Sequence, residues 1–198
     1  MRDGLDMAPV HVPHQELRDV LVRRITPRNL AGLWRYLRLR LRFRRLRVGL
    51  FYLDRGADFT VGPSANVRFG RRVRFMRDAT AKLYGTVTFG DDVFFNRGCH
   101  VVVHSRLTVG AHCLFGELVS IHDEAHIPGA DDRPLASRGL VARPITLGDN
   151  VWVGAKTTIL SGVHIGDNVV IGANSVVTRD IPSNTVAVGA PAQALRRL

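Results

Sequence analysis

Along the second half of the chain an aliphatic residue returns at every sixth position. Leu147, Val153, Ile159, Ile165, Ile171 and Val177 form one unbroken series, and Gly148, Gly154, Gly166 and Gly172 directly follow four of them. Four residues beyond each aliphatic stands another apolar or small residue: Val151, Thr157, Val163, Val169, Ser175 and Ile181. The same beat runs earlier in shifted phases. It passes through Val61, Val67 and Val73, then Leu83, Phe89, Phe95, Val101 and Leu107, then Val109, Phe115 and Ile121. A period of six matches neither the 3.6 of a helix nor the 2 of a half-buried strand. It suits short flat strands separated by sharp corners, three to a triangular coil, with coils stacked at about 4.8 Å. An ordinary β-sandwich would not hold one phase through six consecutive hexads. Residues 58–198 are therefore read as a mainly β, parallel β-helical solenoid with a short C-terminal tail, and each phase change predicts a few residues gained or lost between coils.

The rhythm stops after His126 and resumes at Ile145, which predicts a loop insertion over 127–144, rich in proline, glycine and charge. A loop this long in a regular solenoid is uncommon unless it serves binding or catalysis. Residues 1–57 have a different texture: a polar, irregular start with Pro9 and Pro13, then a basic arm that includes Leu-Arg-Leu-Arg-Leu-Arg-Phe from Leu37 to Phe43. Alternation there fits a strand. Leu30, Leu33, Trp34, Leu37 and Leu41 fit one face of a helix, and a helix is the preferred reading because leucine and arginine both favour it.

Charge sharpens this division. The chain of 198 residues carries a formal net charge of +11, yet ten arginines and no acidic residue lie between Val20 and Leu53. The solenoid itself is close to balance and gives no reason to expect nucleic acid. The arm, with Trp34, Tyr36, Phe43, Phe51 and Tyr52 among its arginines, is either a solvated or packing face or a peripheral contact with an anionic membrane. No apolar run of eighteen residues and no apolar leader are present, so a cytoplasmic location is expected. Cys99 and Cys113 stand apart in strand-like contexts and read as buried core residues of a reduced compartment.

His126 stands at the mouth of the insertion, at the end of Val-Ser-Ile-His-Asp-Glu-Ala-His. Imidazole titrates near neutrality and suits a general base that takes a proton from an attacking hydroxyl. Asp123 and Glu124 are near enough in sequence to orient it, and His122 reads as a structural neighbour. No serine occupies a nucleophile elbow, and neither cysteine has a histidine placed to activate it.

Three segments carry a resemblance: Ile-Thr-Leu-Gly-Asp-Asn-Val-Trp-Val-Gly-Ala (145–155), Ile-Gly-Ala-Asn-Ser-Val-Val-Thr-Arg-Asp-Ile-Pro (171–182) and Val-Gly-Ala-Pro-Ala (188–192). With the hexads, residues 60–198 resemble the trimeric hexapeptide-repeat acetyltransferases, the group of galactoside, maltose and many polysaccharide O-acetyltransferases. The resemblance implies a left-handed parallel β-helix, a homotrimer with its site between adjacent subunits, acetyl-CoA as co-substrate and a carbohydrate-like acceptor, with no metal. It places the catalytic histidine at His126 and an acceptor-binding asparagine at Asn96. It also puts the acyl-donor contacts at Trp152, Ala155, Ala173, Thr178 and Arg179. Gln193 stands where the galactoside enzyme has arginine, and Arg196 or Arg197 is positioned to replace it. The family's N-terminal acceptor-binding region has no match in residues 1–53, which argues against carrying over galactoside or maltose as substrate. The expected function is O-acetylation of a sugar or glycan hydroxyl, by direct transfer rather than through a covalent acyl-enzyme. Alternatives are N-acylation of an amino sugar or antibiotic, and a γ-type carbonic anhydrase with zinc on converging histidines. Against the latter, His122 and His126 are four residues apart where that family has five.

Overall fold

The computed structural model describes residues 47–48, 51–129 and 131–198. Within them the chain winds as a parallel β-solenoid with three faces. The first face stacks six strands, from Arg47–Val48 through Asn66–Phe69, Thr86–Phe89, Arg106–Val109 and Ile145–Leu147 to His164–Ile165. The second stacks eight, beginning with Phe51–Leu53 and including Phe94–Phe95, Leu114–Phe115, Trp152–Val153 and Val169–Ile171. It ends in the antiparallel pair Thr185–Gly189 and Ala192–Arg197. The third stacks six, from Asp58–Val61 through Thr80–Leu83, His100–Val103, Ser120–His122 and Thr158–Ile159 to Val176–Val177.

The hexad aliphatics point inward: Leu147, Val153, Ile159, Ile165, Ile171 and Val177 are at most 1% exposed. Gly148, Gly154 and Gly166 sit where successive coils turn backbone against backbone. A Cβ on Gly110 would lie 2.5 Å from the carbonyl carbon of Gly148, so nothing larger fits that corner. Two residues on, the corner needs a left-handed backbone, and Asn150 and Asn168 supply it with φ of 56° and 54°; asparagine tolerates this region better than most residues. In the earlier coils the inner column is aromatic. Phe75, Phe95 and Phe115 stack with centroids 4.5 and 4.3 Å apart and rings nearly parallel, filling a wider bore.

The phase shifts have a structural origin. Late coils advance by 18 residues, three hexads as expected, until the last, which advances by 16, whereas early coils advance by 20. The extra pair lies on the third face. Cys99, Val101 and Val103 all point inward there, where a later coil places only Thr157 and Ile159.

The sequence placed the start of the solenoid at residue 58 and a helical arm before it. Arg47–Val48 and Phe51–Leu53 are instead strands, pairing in parallel with Asn66–Phe69 and Val73–Phe75. Runs of two and three residues are too short to show either period in isolation. The unpaired edge of the first coil supplies hydrogen-bond partners that decide for strand. The remainder of the expected arm, residues 1–46, lies outside the described residues. Among the described residues no helix is long and apolar enough to cross a membrane.

Candidate active site

After Ser120–His122 the chain leaves the third face. Glu124–His126 pairs antiparallel with the returning Leu140–Ala142, which places His126 opposite Leu140 on an exposed hairpin. Asp123 sits at the exit and is fully buried. Its two carboxylate oxygens accept hydrogen bonds from the backbone N–H groups of His104 and Ser105, both at 2.7 Å. Burial pushes its carboxyl above the usual range, against the opposing pull of those two donors. Its own carbonyl accepts from the N–H of Arg143 at 2.8 Å. Asp123 therefore ties both ends of the hairpin to the preceding coil. The sequence offered it as an orienter of His126, but both oxygens are engaged elsewhere.

Glu124 likewise turns to another partner. Its Oε1 lies 3.2 Å from Nδ1 of His122, so the structure gives the carboxylate–histidine pair to His122. Among the described residues no carboxylate is bonded to His126. The sequence reading passed over His122 as structural. Spacing gave no signal for it, because the chain bends at Asp123 between the strands that carry His122 and Glu124.

The inserted loop is organised around Arg138. Although in a loop, its side chain is only 4% exposed. It donates to the carbonyls of Asp131 and Arg133 at 2.6 and 2.9 Å and to the Asp131 carboxylate. Arg133 binds the same carboxylate, and these hydrogen bonds hold its pKa below the ordinary carboxylate value. A single turn of 3-10 helix, Leu135–Arg138, closes the loop.

The remaining candidates fall along edges of the solenoid. Asn96, Ala155 and Ala173 share the corner between the second and third faces. Asn96 occupies the position held by Gly116, Gly154 and Gly172 in later coils, where each backbone N–H bonds upward to the next coil. Its amide donates to Glu117 Oε1 at 2.8 Å while its Oδ1 accepts from the N–H of Arg97. Trp152 projects from the second face, 55% exposed, flanked in register by Leu114 and Val170. Thr178 and Arg179 are exposed just past the last strand of the third face. Arg196 lies on the terminal antiparallel strand, opposite Val186. Cys99 and Cys113 are buried, and desolvation raises both thiols to about 11. Among the described residues no group of three or more His, Cys, Asp or Glu side chains is arranged to hold a metal ion.

The bacterial transferase hexapeptide family (six repeats) matches residues 144–179, the stretch where coil length settles at three hexads. The chain carries the hexapeptide repeat of bacterial transferases. This hexapeptide-repeat protein is 38% identical over 112 residues to the galactoside O-acetyltransferase of Lactococcus lactis, covering 57% of the chain and 53% of that relative. It is 31% identical over 120 residues to a putative lipopolysaccharide biosynthesis O-acetyl transferase of Escherichia coli, covering 57% of the chain and 61% of the relative. Its fold is similar to that of a hexapeptide-repeat acetyltransferase of Vibrio cholerae solved with acetyl coenzyme A. That match has a TM-score of 0.57 and 23% identity, and covers 93% of this chain and 84% of the other. The chain spans between 53% and 61% of the length of the curated relatives it matches.

Proposed function

We propose that this hexapeptide-repeat protein is an acetyl-CoA-dependent O-acetyltransferase acting on a sugar or glycan hydroxyl, with His126 as general base. The observation that carries this reading is the hairpin. A solenoid whose strands otherwise stack in parallel from coil to coil ejects one segment, braces it with a buried aspartate and an arginine whose side chain is buried, and presents a histidine on it. Rigid support of this kind is what a proton-transfer group needs in order to hold its geometry. The galactoside and lipopolysaccharide relatives make a carbohydrate hydroxyl the favoured acceptor, and the Vibrio cholerae neighbour supports acetyl-CoA as donor.

In this mechanism His126 removes the acceptor hydroxyl proton as that oxygen attacks the thioester carbonyl. The C–S bond then breaks, and the proton passes to the departing thiolate. Base assistance of this type contributes roughly 10²–10⁴-fold, and holding the two substrates together supplies much of the rest. Asn96 sits on the acceptor side. Trp152, Ala155, Ala173, Thr178, Arg179 and Arg196 serve the donor, with a neighbouring copy completing the site in a homotrimer. The arginine-rich arm suits a cytoplasmic enzyme working against an anionic membrane surface, where lipid-linked glycans are presented.

The test is thiol release from acetyl-CoA against a panel of sugars and nucleotide sugars, comparing wild type with His126→Ala. Release that depends on one acceptor and falls at least about a hundredfold in the variant supports the reading. Transfer that survives the substitution removes His126 from the chemistry.

A further inference from the structure

The corner between the second and third faces carries a column of arginines that this mechanism leaves unused. Arg55, Arg77 and Arg97 occupy the same position in three successive coils. Their carbonyls accept from the N–H groups of Asp78, Gly98 and Leu118 in the coils that follow, at 3.2, 3.0 and 2.9 Å. All three arginines are exposed, and neighbouring coils stack about 4.8 Å apart. Glu117, Ala155 and Ala173 continue the column.

The carboxylates of this corner are turned to other partners. Asp54 Oδ1 accepts from the backbone N–H of Arg55 at 2.7 Å. Asp78 lies over Gly56, where a Cβ would fall 2.1 Å from its Oδ1. Glu117 takes the amide of Asn96 at 2.8 Å. Among the described residues none of the three guanidinium groups forms an ion pair. The corner between the first and second faces is the contrast: there Arg71 pairs with Asp91 at 2.7 Å, and Arg72 with Asp92. One corner is neutralised from coil to coil, while the other stacks three like charges without a counter-charge. Each guanidinium offers five N–H donors in a planar fork that matches phosphate oxygens, and a polyanion laid along the column relieves the repulsion.

The position of the column says which substrate it serves. It starts in the coil of Asn96 and runs away from Ala155 and Ala173, which lie two and three coils beyond Arg97, roughly 10 and 14 Å along the corner. We propose that Arg77 and Arg97, extended by Arg55, bind the phosphate of a glycosyl phosphate or diphosphate, so that the acceptor is a phosphorylated rather than a neutral sugar. The phosphate site stands on the arginine column alone. Its assignment to the acceptor rests on the acyl-transfer reading and deepens it by naming the substrate class.

The test follows binding of inorganic pyrophosphate to the full chain by phosphorus NMR at low ionic strength. It compares wild type, the double variant Arg77→Gln and Arg97→Gln, and Arg71→Gln from the neutralised corner, with circular dichroism to check each fold. The expected result is binding by wild type that weakens with salt, a loss of at least about tenfold in the double variant, and none in Arg71→Gln. The nucleotide portion of CoA should leave bound pyrophosphate in place. In thiol-release assays the acceptors are a nucleoside-diphosphate hexose, a polyprenyl-diphosphate hexose in micelles and a neutral methyl hexoside. The first two distinguish a soluble from a lipid-borne source of the phosphate. Acceptor KM should rise about tenfold in the double variant while the KM for acetyl-CoA stays within about twofold. No pyrophosphate binding by wild type, an equal loss in Arg71→Gln, displacement by the nucleotide portion of CoA, or transfer to the neutral hexoside as efficient as to the phosphorylated ones would each overturn the proposal. Pyrophosphate binding that follows the expected pattern with no thiol release from any acceptor upholds the phosphate site and sinks the acyl-transfer reading alone.

Discussion

At the scale of single residues, chemistry-bearing types were legible and their partnerships were not. His126 was singled out from its position at the break in the repeat. Nothing in sequence told which carboxylate faces which histidine, because Asp123 lies at a corner where the chain changes direction and the alternation of side chains is broken. The outcome was Asp123 bonding backwards to His104 and Ser105 and Glu124 turning to His122. This division yields a test. Asp123→Asn leaves one oxygen for two N–H donors and sets an amide N–H₂ against the other, a mismatch in a buried place. It should cost about 1–3 kcal/mol in urea denaturation. Because Asp123 anchors the hairpin rather than touching a substrate, kcat should fall with the loosened hairpin even where the protein remains folded. A variant of full stability and full activity would show that the anchor is dispensable.

At the scale of elements, the hexads were read correctly because period, corner glycine and inward aliphatic all express one geometry. The early coils were harder. Their two additional residues preserve inward alternation on the third face and so disguise a longer strand as a change of phase. The arm was misread at its end because runs as short as Arg47–Val48 and Phe51–Leu53 show no period of their own until an edge is available to pair with. The loop was recognised as an interruption, but its internal order rests on one arginine among many and leaves no trace in composition. Arg138→Ala would strip the donors from two carbonyls and from the Asp131 carboxylate. Hydrogen exchange over 127–143 should rise sharply while the coils keep their protection, and global stability should change by less than about 1 kcal/mol, since the loop adds nothing to the core. Gly129→Ala attacks the same contact from the other side, because its Cβ would fall 1.8 Å from Nη1 of Arg138. Equal loosening in both variants would identify the Arg138 clamp as the cause.

At the scale of the whole molecule, the second face is conspicuous for what it leaves uncovered. Phe94, Leu114, Trp152, Val170 and Val186 follow one another in register down its outside. Leu114 is 49% exposed and Trp152 55%. Parallel sheets are ordinarily covered on both faces, and a continuous apolar column on a solvated surface marks an interaction site. In the proposed homotrimer each copy would use one face against a different face of the next, the head-to-tail arrangement that closes a three-fold ring. Trp152 then belongs both to the interface and to the donor site, so assembly and catalysis should fail together. Sedimentation velocity should find wild type near three times its 21.9 kDa chain mass. Leu114→Glu, which places a charge beside Trp152 in that column, should shift the protein to monomer with the solenoid intact by circular dichroism, and thiol release should vanish with the trimer. A Leu114→Glu protein that remained trimeric and active would free the second face from assembly and leave its apolar column to another partner.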